Sequence, residues 1–161
     1  MYCPSGKFAD VDNNRECHTK CIGSVNTYAE NSTGECLSPC LTGFANPRTK
    51  QCIGVCSSGY YGYDKVCYLT CPSVSPTVYA DNITHRCVST CPNGTFADYS
   101  TRRCVKICPI SNGTYGYENT WTCTDRCPGS YFADTSTRKC VLTCPQVPAT
   151  FSKTPEKICI S

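Results

Sequence analysis

Nine times along the chain an aromatic residue is followed at once by a small one. The pairs are Phe8-Ala9, Tyr28-Ala29, Phe44-Ala45, Tyr61-Gly62, Tyr79-Ala80, Phe96-Ala97, Tyr115-Gly116, Phe132-Ala133 and Phe151-Ser152. In seven of the nine the aromatic lies eight residues before a cysteine; in the first it lies nine before and in the fourth six. The residue after that cysteine is usually apolar: Leu37, Ile53, Tyr68, Val88, Val105, Val141 or Ile160. Between the two apolar positions stand polar residues, with Thr three before the cysteine at Thr33, Thr49, Thr84, Thr101, Thr120 and Thr137. Two short apolar segments around a polar turn predict a β-hairpin. In the sixth copy Thr95-Phe96-Ala97 reads as one strand, Arg102-Arg103-Cys104-Val105 as the other, and Asp98-Tyr99-Ser100-Thr101 as the turn. Asp suits the first turn position because its carboxylate accepts a backbone N–H two residues on. No window keeps a helical period, and Gly and Pro interrupt every candidate, so almost no helix is expected.

Cysteine spacing turns these hairpins into a repeat. Eight Cys-x3-Cys spacers separate nine longer loops of 10 to 15 residues. The units run roughly 3–17, 21–36, 40–52, 56–67, 71–87, 91–104, 108–123, 127–140 and 144–159, about 18 residues each with the spacer. The clearest copies are 91–108, CPNGTFADYSTRRCVKIC, and 127–144, CPGSYFADTSTRKCVLTC. One aromatic, one aliphatic and a cystine per unit cannot stand alone. Stacked units would bury aromatic faces on neighbouring cystines, each touching only its neighbours. The expected fold is therefore all-β and disulfide-rich: one array over 1–161, an extended solenoid or rod of nine small hairpin repeats. At ~10 Å per stacked layer it would span on the order of 90 Å.

Composition places the array. With 18 Cys in 161 residues the chain is a disulfide scaffold. Cys and Tyr together supply 29 of the residues usually counted as hydrophobic, so aliphatic content is too low for an ordinary core. An even count at regular spacing implies an oxidising compartment, extracellular in the reading favoured here. Parity sets the pairing. Closing each loop on itself gives Cys3–Cys17, Cys21–Cys36, Cys40–Cys52, Cys56–Cys67, Cys71–Cys87, Cys91–Cys104, Cys108–Cys123, Cys127–Cys140 and Cys144–Cys159, which uses every cysteine. Pairing across the spacers would strand Cys3 and Cys159. The net charge of +3 is mild and the basic residues are scattered, which excludes a nucleic-acid footprint. No apolar run approaches the ~18 residues of a membrane span. Met1-Tyr2 leads straight to Cys3 without a signal peptide, and both ends fall inside the repeat. The expectation is a processed piece of a longer secreted or surface protein, continued covalently or by head-to-tail self-association.

The pattern Cys-Pro-x-Gly-x-aromatic, then Cys-Val-x-x-Cys, resembles furin-like cysteine-rich repeats. These occur in growth-factor receptors, in furin-type proteases and in large repetitive surface proteins of protists such as ciliates. The wording Phe132-Ala133-Asp134-Thr135-Ser136-Thr137-Arg138-Lys139-Cys140-Val141 is most similar to the protist versions. The resemblance covers all nine units and implies hairpin-built, disulfide-linked rods in ectodomains. Receptor members also carry modules with other cysteine spacings and flanking leucine-rich domains, which this chain lacks.

Candidate chemistry is sparse. His18 and His85 stand beside or near cysteines expected in disulfides, and a disulfide sulfur is no nucleophile. Ser is plentiful, but no Gly-x-Ser-x-Gly elbow is present. Cys-x3-Cys fits zinc-ligand spacing, yet eight identical spacers in a hairpin repeat argue for topology, so no metal or other cofactor is expected. Asp10-Val11-Asp12-Asn13-Asn14 has calcium-loop character but lacks the sixth-position Gly and the twelfth-position Glu. Asp10, Asp81, Asp98 and Asp134 recur at equivalent places, which points to a turn role. Sequons at Asn31, Asn82, Asn93 and Asn112 all lie in predicted turns and are candidates for N-linked glycans. Tyr60, Tyr61 and Tyr63 cluster in one unit, and Tyr115, Tyr117 and Trp121 in another, as an exposed candidate interface or, alternatively, as core. The function expected is a non-catalytic structural segment of a glycosylated surface coat, stalk or filament protein. The alternative is a ligand- or partner-binding ectodomain; a protease inhibitor is a third class.

Overall fold

The computed structural model describes residues 3–10, 14–23, 26–146, 151–153 and 157–160. Within it the chain divides into two compact units, Met1–Pro72 with Asn82–Cys87, and Ser73–Asp81 with Val88–Ser161.

The first unit holds four hairpins: β1 (Phe8–Asp10) with β2 (Glu16–His18), β3 (Tyr28–Glu30) with β4 (Glu35–Leu37), β5 (Phe44–Asn46) with β6 (Gln51–Ile53), and β7 (Tyr61–Tyr63) with β8 (Val66–Tyr68). Each is antiparallel, and the small residue faces the closing cysteine, as in Ala29↔Cys36 and Gly62↔Cys67. Each first strand also pairs in parallel with the second strand of the following repeat: Ala9↔Glu35, Ala29↔Gln51 and Ala45↔Val66. Gly62 does the same with Arg86, the first residue of β10 (Arg86–Val88).

In the second unit β9 (Tyr79–Asp81) precedes β11 (Phe96–Asp98) with β12 (Arg103–Val105), β13 (Tyr115–Tyr117) with β14 (Thr122–Thr124), β15 (Phe132–Asp134) with β16 (Lys139–Val141), and β17 (Phe151–Lys153) with β18 (Ile158–Ile160). The parallel links recur as Ala80↔Arg103, Ala97↔Thr122, Gly116↔Lys139 and Ala133↔Ile158. One short 3₁₀ turn, Ile110–Asn112, is the helical element among the described residues. The all-β, almost helix-free hairpin repeat is as the sequence predicts.

The strands differ from the sequence reading by one residue. Asp98 belongs to β11, and Arg102 lies outside β12, in left-handed conformation with φ 55°. A four-residue hairpin loop needs one residue that turns the chain back into register, and the last loop residue supplies it.

Nine disulfides join the cysteines within each repeat, from Cys3–Cys17 to Cys144–Cys159, with Cα–Cα separations of 5.4 to 5.7 Å. The core is a series of small clusters, each built across a junction. Phe8 packs on Cys21, Ala29 and Cys36. Tyr28 packs on Cys40, Ala45 and Cys52. In the second unit Tyr79 and Val88 cover Cys91, Ala97 and Cys104, and Tyr115 and Tyr117 cover Cys127, Ala133 and Cys140. The aromatic of one repeat thus lies on the cystine of the next, as expected from the sequence.

Candidate assembly site between repeats

The feature repeated most often is the junction itself. At its centre the N–H of each small residue donates to the carbonyl of the last loop residue of the following repeat. In the first unit the bonds are Ala9 to Gly34, Ala29 to Lys50, Ala45 to Lys65 and Gly62 to His85, at 2.7 to 2.9 Å. In the second they are Ala80 to Arg102, Ala97 to Trp121, Gly116 to Arg138 and Ala133 to Lys157, also at 2.7 to 2.9 Å. Every acceptor residue has positive φ, between 53° and 70°. That conformation turns the carbonyl outward from its own hairpin and toward the preceding one.

Small residues are required beside this bond because the ring of the preceding repeat lies against them. A Cβ at Gly62 would come 2.6 Å from the Phe44 ring, and one at Gly116 would come 2.7 Å from the Phe96 ring. Both are closer than packed carbons tolerate, so something must shift.

Glycine is the usual residue at positive φ, yet eight of these nine loop positions hold a residue with a long or planar side chain: Arg15, Lys50, Lys65, His85, Arg102, Trp121, Arg138 and Lys157. Several reach back over the preceding repeat. Lys50 Nζ stands 5.1 Å from the Tyr28 ring centre, and the Arg138 guanidinium lies 4.2 Å over Tyr115. Trp121 packs on Phe96 at 5.8 Å. Arg102 donates to Ser73 Oγ (2.9 Å) and to the Val78 carbonyl (3.4 Å). Lys65 donates to Leu41 O at 3.2 Å, and Lys157 to Gly129 O. In the sequence Arg102 reads simply as a strand residue, and none of these side chains is assigned a contact. Their fixed place two before the closing cysteine was the available signal.

The recurring acids complete the junction. Asp10, Asp81, Asp98 and Asp134 are at most 2% exposed. A buried carboxylate is costly unless hydrogen-bonded, and Asp10, Asp98 and Asp134 are. Asp98 accepts the N–H and hydroxyl of both Ser100 and Thr101. Asp134 accepts the N–H and hydroxyl of Ser136 and the Thr137 hydroxyl. At Thr101 and Thr137 the recurrent Thr thus clamps the acid of its own loop. Asp10 and Glu30 bind forward: Asp10 Oδ2 accepts the N–H groups of Ile22 (3.1 Å) and Gly23 (2.8 Å), and Glu30 that of Thr42 (3.5 Å). Burial pushes Asp134 and Glu30 up, but the bonds from Thr137 and Ser136, and from Ser32, Thr42 and Leu41, outweigh it. Both carboxyls lie below their ordinary values.

The other sequence candidates fall as follows. All four sequon asparagines are exposed. Asn31, Asn82 and Asn93 are in turns, whereas Asn112 ends the 3₁₀ turn, a small correction. Of the two readings of the tyrosine clusters, exposed interface or core, the burial fits core. Tyr61 is 2% exposed and its hydroxyl bonds Asn82 Oδ1; Tyr60, Tyr63, Tyr115, Tyr117 and Trp121 are half-buried. Tyr117 packs edge-on to Tyr131 at 5.1 Å. With so few aliphatic residues, the rings are used as core. His18 lies 3.5 Å from Glu16, and His85 contributes its carbonyl to a junction. Of the calcium-like segment, residues 11–13 lie outside the described residues. Among the described residues no three His, Cys, Asp or Glu side chains are grouped to hold a metal ion, and no helix is long and apolar enough to cross a membrane.

Comparison of the chain with protein-family models, with curated proteins and with solved structures finds no match.

Proposed function

We propose that this chain is a non-catalytic structural segment of a glycosylated extracellular protein, of the kind that forms a surface coat, stalk or filament. The observation that supports it is the junction, present four times in each unit with one hydrogen-bond geometry. Backbone, ring and left-handed residue are spent on joining one repeat to the next, and Asp10 and Glu30 reach across with them. The disulfide density suits an oxidising compartment, and four exposed sequons suit a secretory route. The resemblance to furin-like cysteine-rich repeats, in particular those of protist surface proteins, points the same way. The test is to secrete the chain from eukaryotic cells and measure particle dimensions by electron microscopy, self-association by sedimentation, and glycopeptides at Asn31, Asn82, Asn93 and Asn112. An elongated, glycosylated, self-associating particle is expected. A compact particle, or unmodified Asn at all four sites, overturns the reading.

A second reading, a ligand-binding ectodomain, is favoured by one departure from the repeat. The seventh spacer, Cys123-Thr124-Asp125-Arg126-Cys127, alone among the eight carries both an acid and a base, and, like Cys17-His18-Thr19-Lys20-Cys21, it lacks the apolar residue that follows the closing cysteine in seven repeats.

A further inference from the structure

That spacer borders a cleft of about 590 Å³ inside the second unit. Its lining includes Tyr115, Asp125, Arg126, Ala133, Lys157 and Ile158. The volume is within the ~300–1,000 Å³ of small-ligand sites. The spacer backbone is fixed by Thr124, whose hydroxyl donates to Arg126 O at 2.8 Å and accepts the Arg126 N–H at 3.4 Å. The Asp125 and Arg126 side chains are exposed, and among the described residues neither has a hydrogen bond or ion-pair partner. Arg102, Arg138 and Lys157, by contrast, are committed to carbonyls of the preceding repeat. The carboxylate of Asp125 and the guanidinium of Arg126 are thus left open at a cleft wall.

We propose that the cleft binds the carboxylate-bearing end of an acidic saccharide, an inference that rests on the ligand-binding reading. A guanidinium presents a planar fork that fits a carboxylate through two parallel N–H donors. Asp125 offers acceptors for neighbouring sugar hydroxyls. Tyr115 and Ile158, both half-buried, supply the apolar part of the lining. Arg126 and Lys157 against Asp125 leave the cleft net positive, which favours an anionic ligand.

The experiment titrates the full, disulfide-intact chain by calorimetry and NMR. The probes are a glucuronate-containing tetrasaccharide and a neutral N-acetylglucosamine tetrasaccharide. Saturable binding of the acidic probe is expected, with the neutral one weaker. Arg126→Gln should weaken the acidic probe about tenfold or more, as for loss of a charge-assisted bidentate pair. Arg126→Lys, which keeps the charge but not the fork, should fall between. Unchanged Cys108–Cys123 and Cys127–Cys140 links in a peptide map show that each variant is folded. Equal binding of both probes, lost in Arg126→Gln, overturns the acidic class while keeping a ligand cleft. Acidic binding that persists in Arg126→Gln overturns the site. No binding of either probe overturns the inference, while the ligand-binding reading then stands or falls on protein partners.

Discussion

The sixth and seventh repeats hold the same backbone in two different ways. The sixth, with Phe96-Ala97-Asp98, buries a carboxylate that ties down Ser100 and Thr101. The seventh, with Tyr115-Gly116-Tyr117, has no acid there. Tyr117 instead packs edge-on against Tyr131, and its hydroxyl accepts from Asn119 at 2.9 Å. Yet Ala97 donates to Trp121 O at 2.7 Å and Gly116 to Arg138 O at 2.8 Å. The invariant part of the junction is thus the backbone bond to a left-handed residue. The side-chain clamp around it is interchangeable, polar in one repeat and aromatic in the other.

The largest expected effect tests what the two repeats share. Replacing both cysteines of Cys91–Cys104, or both of Cys108–Cys123, by Ala should cost ~2–4 kcal/mol each. In an array where units touch only neighbours, the loss should stay local. Hydrogen exchange resolved by residue checks this, and unfolding of the whole chain from either lesion would break the shared-junction view.

Next in size is the glycine. Gly116→Ala should cost ~1–3 kcal/mol by overpacking, because the Phe96 ring must move. Chemical denaturation measures it. Rescue by Phe96→Leu, which removes the ring, would sharpen the assignment; a neutral Gly116→Ala would remove the steric argument for the seventh repeat.

Acid should separate the two clamps. Asp134 and Glu30 have folded values below their unfolded ones, so their contribution is present above the unfolded range, ~4. It is lost as pH falls through the lowered folded values. NMR on titration from pH 6 to 2 should show the second and eighth repeats loosening before the seventh, where Tyr117 stands in place of the acid. Asp134→Asn should remove the dependence in the eighth repeat. Uniform loosening would erase the distinction.

The smallest effect concerns the left-handed position. Arg102→Gly relieves backbone strain but loses the bonds to Ser73 and Val78, so a net change within ~1 kcal/mol is expected. Trp121→Gly also strips a ring from Phe96, worth ~0.5–1.5 kcal/mol in such pairs, and should be the more harmful. Paired melting curves decide the order.

Hairpins, register and the stacking of rings on cystines were legible because each is local or written nine times. An aromatic, a small residue and a cysteine at fixed spacing leave one pleated arrangement, and Ala97 opposite Cys104 follows from it. Strand ends were legible only to within a residue. Nothing in Arg102 announces positive φ, since a long basic side chain gives no local signal for a conformation that glycine prefers. The tyrosines were ambiguous for a similar reason: Tyr61 reads alike as interface or core until its neighbours are known.

The sequence alone determined the repeat, its small cores and its lack of helix. Those depend on chain-local preferences and on apolar groups that had only the next repeat to bury against. Tertiary structure decided the direction of each junction, the partners of the buried acids, the reach of the left-handed cations and the exposure left to Asp125 and Arg126. These depend on which backbone groups of separate repeats face one another. A hydrogen bond from Ala97 to Trp121, 24 residues on, forms only once the two hairpins are side by side.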